Sequence, residues 1–399
     1  MAGYYQKTES GKYRLFASGG SGPGGARKRL TQTVSAKSDR EAEKLLAKFV
    51  AEVEKGEFIE PSKLSFAEFV ERWLKNYGES SLAPKTLYSY KDMLKKYIIP
   101  SLGHLQIEQI RPMHLVELYR NLGEDGVRHD KKPGGLSTRS ISYTHKIISS
   151  ILSHAVRWQI IQSNPASRVT PPKVTKKQAG CYNEEQVMVM LEALEREDIK
   201  YRVIIQVALF SGQRRGEIMG LEWKDIDFGK GTLEVRQASQ YLPDRGVFTK
   251  EPKNESSERL LSLPPSLLDL LRQYKRAQAE TRLKVGDLWQ GTDHVFTTWD
   301  GKPMHPDTIS SWFPAFLERH GLPHLTFHGL RHTAATMAIN LGLPAKSISG
   351  RLGHSNIGIT MDLYGHYLRS ADMVMADKLE QVYQRMKSNG KKDTRKGRA

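Results

Sequence analysis

The chain has 399 residues, a formal charge of +17 from 61 Lys and Arg against 44 Asp and Glu, and a single cysteine. That length holds two or three domains, and the charge calls for a polyanionic partner, either nucleic acid or an anionic membrane surface. The sequence has no long apolar run and no signal peptide, and Cys181 alone cannot form an internal disulfide, so the reading is a soluble protein of a reducing compartment with no membrane role.

Residues 1–37 are strongly basic, with Lys7, Lys12, Arg14, Arg27, Lys28, Arg29 and Lys37 facing only Glu9. Alternation in KYRLF and RLTQTV predicts two short strands joined by the glycine-rich SGGSGPGG, which lacks the Gly-Lys-Ser/Thr ending of a phosphate-binding loop. Ser38 and Glu41 make a capping-box pattern that opens a helix through about Lys55. A small sheet with a supporting helix and a basic face fits a DNA groove, although a solvated basic surface has the same composition.

From residue 64 to about 169 the spacing is helical, in SFAEFVERWLKNY, TLYSYKDMLKKYIIPSL, MHLVELYRNL and RSISYTHKIISSILSHAVRW. Pro84, Pro100 and Pro112 punctuate a bundle of about four helices. Lys85, Tyr88, Lys91, Lys95 and Lys96 load one helix with basic and aromatic groups, and Arg139, Tyr143 and Lys146 load another. An ordinary amphipathic exterior would look the same, but the overall charge favours phosphate contact.

RVTPPKVTKK, residues 168–177, has two prolines and no acid and reads as an extended linker that lets two domains close around a duplex. Asn183 then caps the helix EEQVMVMLEALERE. The apolar run RVIIQVALF requires a buried helix, broken at Ser211 and Gly212. Arg214 falls near the positive start of the next helix, where it can hold an anion and where Glu217, three residues on, can orient it, although this stretch alone reads first as a surface arginine pair. Arg215 points elsewhere. KDIDF, TLEVRQ, VFT and RLLSL predict a small antiparallel sheet, with Lys253 at the tip of the connection between the last two strands.

The densest stretch is LTFHGLRHTAATMAINLGLPAKSISGRLGHSNIGITMDLYGHY, residues 325–367. His328 and Arg331 share one face of a predicted helix that Gly342 stops. Pro344 starts the next helix, and Gly353 closes it and leaves His354 on a tight corner. Thr360 and Tyr364 sit four apart on another short helix, which can offer a tyrosine hydroxyl from a movable element. Each of these residues, taken singly, is more often surface or packing than chemistry. His328 and His332 have zinc-pair spacing, but HGLRH lacks the glutamate a zinc protease uses as base, and Arg331 would set a cation beside the metal. No metal and no cofactor is expected. ADMVMADKLEQVYQRM reads as an amphipathic helix and KSNGKKDTRKGRA as a basic, unstructured tail.

In that order SGQRRGE, a lysine on a hairpin, HGLRH, LGH and TMDLYGH resemble the tyrosine recombinase (phage integrase) family, most closely in the last half of the chain. The resemblance implies that Arg214 and Arg331 grip a scissile phosphate and that Lys253 protonates the leaving 5′ oxygen. His328 would assist proton transfer, His354 would hydrogen-bond the phosphate, Tyr364 would attack, and Glu217 would support them. Arg215 stays open as a substitute for Arg214, and Lys250 as a rival for Lys253, because Glu255 and Glu258 stand where relatives often have basic residues.

The fold expected is multidomain and mainly α. Residues 1–60 form a small α+β arm-site DNA-binding domain of short antiparallel sheet plus helix, with Lys12, Arg14, Arg27, Lys28 and Arg29 on DNA. Residues 64–168 form a helical core-binding bundle using Lys85, Tyr88, Lys91, Arg139 and Lys146. Residues 169–180 are linker, 181–387 a mostly helical catalytic domain with a small antiparallel sheet, and 388–399 a disordered tail. The partners implied are double-stranded DNA at core and arm sites, three further copies of the chain in a tetramer, and accessory bending or excision factors, in the cytoplasm at the nucleoid. The last helix, residues 371–386, would dock on a neighbour. A type IB topoisomerase and a non-catalytic helix-turn-helix regulator are the alternatives; the basic N-terminal segment weighs against the first, and the succession of Arg214, Lys253 and Tyr364 against the second.

Overall fold

The computed structural model describes residues 3–21, 27–55, 58, 63–175, 180–250, 258–354, 356–358, 361, 376 and 379–383. It divides into two compact units, Met1–Lys176 and Lys177–Ala399.

In the first unit, β1 (Tyr4–Lys7), β2 (Tyr13–Ser21) and β3 (Arg27–Val34) form an antiparallel sheet in that order. The alternation anticipated for β2 and β3 is present, and β1 is an added edge strand pairing Tyr4 with Phe16 and Gln6 with Arg14. Strand periodicity sends Tyr13, Leu15, Ala17 and Leu30 inward onto Ala42 and Phe49 of α1 (Asp39–Glu54), whose N-cap is Ser38. The opposite face carries Arg14, Phe16 and Arg29, with Tyr4 stacked on Phe16 at 4.6 Å and the Arg29 guanidinium 5.8 Å from the Tyr4 ring.

Four helical stretches follow. α2 (Phe66–Trp73) runs through a π-turn at Leu74–Gly78 into α3 (Glu79–Ser81), and α4 (Pro84–Met93) runs through a second at Leu94–Ile98 into α5 (Ile99–Leu102). The second π-turn has a cause in the sequence. Pro100 lacks an N–H, and in a regular α-helix its ring would meet the carbonyl of Lys96; the wider turn relieves both. α6 (Pro112–Leu122) and α7 (Thr138–Arg157) complete the bundle around Trp73, Phe66, Ile98, Leu115, Ile147 and Ile151.

The second unit packs around α9 (Ile199–Ser211), buried along Val203, Ile204, Ile205, Val207 and Ala208 as its apolar run requires. Against it lie α8 (Glu184–Leu194, capped by Asn183), α10 (Arg215–Met219), α11 (Pro265–Val285), α12 (Pro306–Arg319), α13 (Phe327–Asn340) and α14 (Ala345–Leu352).

The strands depart from expectation. β4 (Ile226–Asp227), β5 (Thr232–Val235) and β8 (Arg259–Ser262) form one sheet, while β6 (Ala238–Leu242) and β7 (Gly246–Lys250) form a separate ribbon. The single sheet anticipated therefore splits in two, because ASQYL, where no strand was expected, is a strand that takes the segment containing VFT as its partner. β7 and β8 are not hairpin partners, so the segment with Lys253 links two sheets rather than capping one ribbon. Lys253 itself lies outside the described residues, as do Tyr364, the linker at 176–179, most of residues 371–386 and the tail.

Candidate active site

Two helix ends build the site. α9 stops at Gly212, left-handed at φ +63, whose N–H bonds the Ala208 carbonyl at 3.0 Å. α14 stops at Gly353, left-handed at φ +66, with Gly353 N–H on the Gly350 carbonyl at 3.0 Å and His354 N–H on the Ser349 carbonyl at 3.1 Å. That is the Schellman pairing, and it fixes the backbone direction at His354. A Cβ on Gly212 would lie 2.5 Å from Leu352 Cδ2, so glycine is needed there for space as well as for φ.

Each helix end then presents a carbonyl to an arginine of another element. Arg331 Nη1 donates to Gly212 O at 2.7 Å, and Arg214 Nη2 donates to Gly353 O at 2.7 Å. Arg214 is the N-cap of α10, and its Nη1 also donates to Glu217 Oε1 at 2.7 Å while its backbone N–H donates to Oε2 at 3.0 Å. Arg331 is 5% exposed, and its Nη2 is buried without a hydrogen-bond partner among the described residues. A buried donor left in that condition forgoes about 1–3 kcal/mol, which an anion bonded to it would recover.

The charges reinforce this. Burial first, and then the neighbouring Arg214, pull the Arg331 guanidinium down to about 9, so it stays charged at neutral pH but is stressed by a second cation. Burial pushes the Glu217 carboxyl up, but its bond to Arg259 and that cation's charge, with Arg214 behind them, hold it below the usual carboxylate range. Lost hydration, then His332, Arg331 and Arg214, hold His328 down to about 4. Lost hydration, then Arg331 and Arg214, do the same to His354, also to about 4. Both histidines are neutral at pH 7, each able to donate from one ring nitrogen and accept at the other.

This predicts a stability effect. Between about pH 6.5 and 4 the unfolded chain binds protons at His328 and His354 that the folded chain refuses, so folded stability rises with pH through that window. The thermal midpoint is expected to fall as pH drops from 7 to 5, and calorimetry should show a shallower fall in a His328→Gln/His354→Gln double variant. Equal slopes would contradict the histidine environments described here.

Of the anticipated site residues, Arg214, Glu217, His328, Arg331 and His354 are drawn together by these bonds and charges. Arg215 is turned away, bonded through Nη1 to Ser310 Oγ at 2.6 Å and paired with Asp307. Lys250 ends β7, half-buried opposite Ala238. His332 stands edge-on to His328 with ring centroids 5.0 Å apart. Among the described residues no group of three His, Cys, Asp or Glu is placed to hold a metal ion.

In the first unit Lys12, Arg14, Arg29, Lys85, Tyr88, Lys91, Arg139 and Lys146 are exposed, and the side chains of Arg27 and Lys28 are outside the description. Lys91 is paired with Glu79 at 3.1 Å. α4 and α7 meet where Tyr90 packs edge-on to Tyr143 at 5.9 Å.

Sequence reading missed Arg259. It opens a strand and carries no periodic signal, yet its side chain is 7% exposed and donates to Glu217 Oε2 at 2.7 Å and to the Arg351 carbonyl at 2.8 Å. Only a buried acid facing two arginines reveals it.

Comparison with known proteins places these features in a lineage. Residues 182–370 match the phage integrase family, and residues 65–122 match the phage integrase N-terminal SAM-like domain. The chain is 26% identical over 382 residues to the tyrosine recombinase XerC-like protein of Caldanaerobacter subterraneus subsp. tengcongensis, covering 91% of this chain and 94% of that one. Its fold is similar to that of the Tn1549 transposon integrase in complex with a circular intermediate DNA, with a TM-score of 0.62, 18% identity, and coverage of 76% of this chain and 95% of that one. It is also similar to a lambda integrase tetramer bound to a Holliday junction, with a TM-score of 0.55, 17% identity, and coverage of 90% and 94%. The chain, with its paired arginines and its two matched segments in order, belongs to the phage integrase family.

Proposed function

We propose that the chain is a site-specific DNA recombinase that integrates and excises a mobile element. The observation that carries this is Arg331 Nη2, buried and without a hydrogen-bond partner among the described residues, with Arg214 and two neutral histidines within electrostatic reach of that guanidinium. This is a receptacle for one phosphodiester. Arg214 and Arg331 bond its non-bridging oxygens and stabilise the charge that grows as phosphorus becomes pentacoordinate. His354 hydrogen-bonds the same phosphate.

The Tyr364 oxygen attacks phosphorus, the P–O5′ bond breaks, and a 3′-phosphotyrosine and a 5′ hydroxyl result. His328 assists removal of the phenolic proton, and Lys253 gives one to the leaving oxygen. The new ester keeps the energy of the old one, so the 5′ hydroxyl of a partner strand reverses the step without ATP. Two rounds through a Holliday junction, by four copies of the chain, exchange two duplexes. Residues 64–168 hold the core site with Lys85, Tyr88, Arg139 and Lys146, and the Arg14/Arg29 face of residues 1–60 reads arm sites. No helix among the described residues is long and apolar enough to cross a membrane, and the proposed place of action is the bacterial cytoplasm, on the nucleoid.

The test is a nicked suicide duplex spanning the ends of the element. The protein is expected to remain attached to the 3′-phosphate end at one defined cut on each strand and to transfer that end to a second duplex. Transfer only back to the same strand would mark a topoisomerase, and absence of attachment would refute strand cleavage.

A further inference from the structure

Resting on the reading of the site as a phosphodiester pocket, we infer that Arg259 is a positioning residue: it occupies one oxygen of Glu217 so that Arg214 keeps its charge for the DNA phosphate. The pocket holds the guanidiniums of Arg214, Arg259 and Arg331 around one buried carboxylate. Glu217 divides itself between two of them, with Oε1 taking Arg214 Nη1 at 2.7 Å and Oε2 taking Arg259 Nη2 at 2.7 Å. Without Arg259, Oε2 would keep only the Arg214 backbone N–H and could take a second donor from the Arg214 guanidinium, completing a bidentate fork with the Oε1 bond, the strongest pairing two such groups make. Arg214 would then be neutralised and turned toward the protein.

Arg259 also ties together the two segments that aim the site. Its Nε donates to the Arg351 carbonyl at 2.8 Å in the last turn of α14, two residues before the glycine carbonyl that holds Arg214. A Cβ on Gly353 would lie 2.7 Å from Arg259 Nη1, so a side chain at 353 would press on the guanidinium where it passes the backbone. One guanidinium thus spans α10 and the corner carrying His354. Its burial matches the role, since a cation enclosed to this degree is stable only when paired.

Single-turnover cleavage of the suicide duplex, with DNA affinity measured in parallel, separates this role from a structural one. Arg259→Met is expected to bind DNA within about threefold of the parent and to cleave about 30- to 100-fold more slowly. Adding Glu217→Gln to Arg259→Met is expected to recover at least about tenfold of that rate, since the carboxylate that captures Arg214 is then gone. Parental cleavage by Arg259→Met, or no recovery in the double variant, overturns the inference. If Arg259→Met does not fold, Arg259→Lys decides: lysine keeps the charge opposite Glu217 and should stay within about fivefold of the parent, and a larger loss overturns the inference. A parent that forms no adduct overturns the phosphodiester reading itself, whereas an active parent with an unaffected Arg259→Met overturns only the role of Arg259.

Discussion

Tyr364→Phe is expected to bind attachment-site DNA as the parent does and to form no covalent adduct with it. A phenol of pKa about 10 is only about one part in a thousand ionised at pH 7, a deficit of roughly 4 kcal/mol. The two arginines offset it at the other end of the reaction, where one preorganised donor is worth about 3 kcal/mol. Removing the oxygen removes the bond-forming atom, which no electrostatic neighbour can replace, so the loss should reach the detection limit. A gel of denatured protein–DNA complexes on the suicide duplex reads this directly. An adduct at parental yield would reject Tyr364 as the nucleophile.

The residues of the arginine cluster were picked out by the order of the motifs that resemble the family, and their local setting has a physical reason. SGQRRGE and HGLRH are short, and each sets its residues by local geometry alone: a helix stop at Gly212, an N-cap at Arg214, and a three-residue step from His328 to Arg331. The same holds for the Gly353 stop, which aims His354 through a left-handed residue that only local chemistry demands.

What could not be read is whatever depends on distant pairing. The carbonyls of Gly212 and Gly353 are bonded by residues 119 and 139 positions away, and Arg259 reaches Glu217 across 42 positions. No period or spacing encodes such contacts. The strand order failed for the same reason. TLEV pairs with RLLS, leaving the intervening β6 and β7 to pair with each other, and this choice lies in tertiary packing rather than in β-propensity. In the bundle, by contrast, apolar spacing and prolines marked the helices, while the π-turns at Leu74–Gly78 and Leu94–Ile98 and the short 3-10 turns at Ile107–Gln109 and Pro165–Arg168 went unseen.

Arg214→Ala and Arg215→Ala, adjacent and chemically identical changes, are expected to diverge by about two to three orders of magnitude in cleavage rate. Arg214 donates to Gly353 O and to Glu217 Oε1, and its loss removes one of the two phosphate donors proposed for the transition state, at a cost of about 10²–10³ in rate. It also strips Glu217 of one partner, though Arg259 still neutralises that carboxylate, so the fold should survive and DNA affinity should fall less than rate. Arg215 spends its guanidinium on Ser310 and Asp307, at the edge of α12 and 31% exposed. A partly exposed pair of this kind is worth at most about 1 kcal/mol, and its removal should leave cleavage within about threefold of the parent. Single-turnover rates on the suicide duplex decide the matter. Equal losses would mean that the doubled arginine shares the phosphate and that the hydrogen bond to Gly353 does not select between them; a larger loss at Arg215 would place the anion on the α12 side of α10, and the pocket between Gly212 and Gly353 would no longer be the site of chemistry.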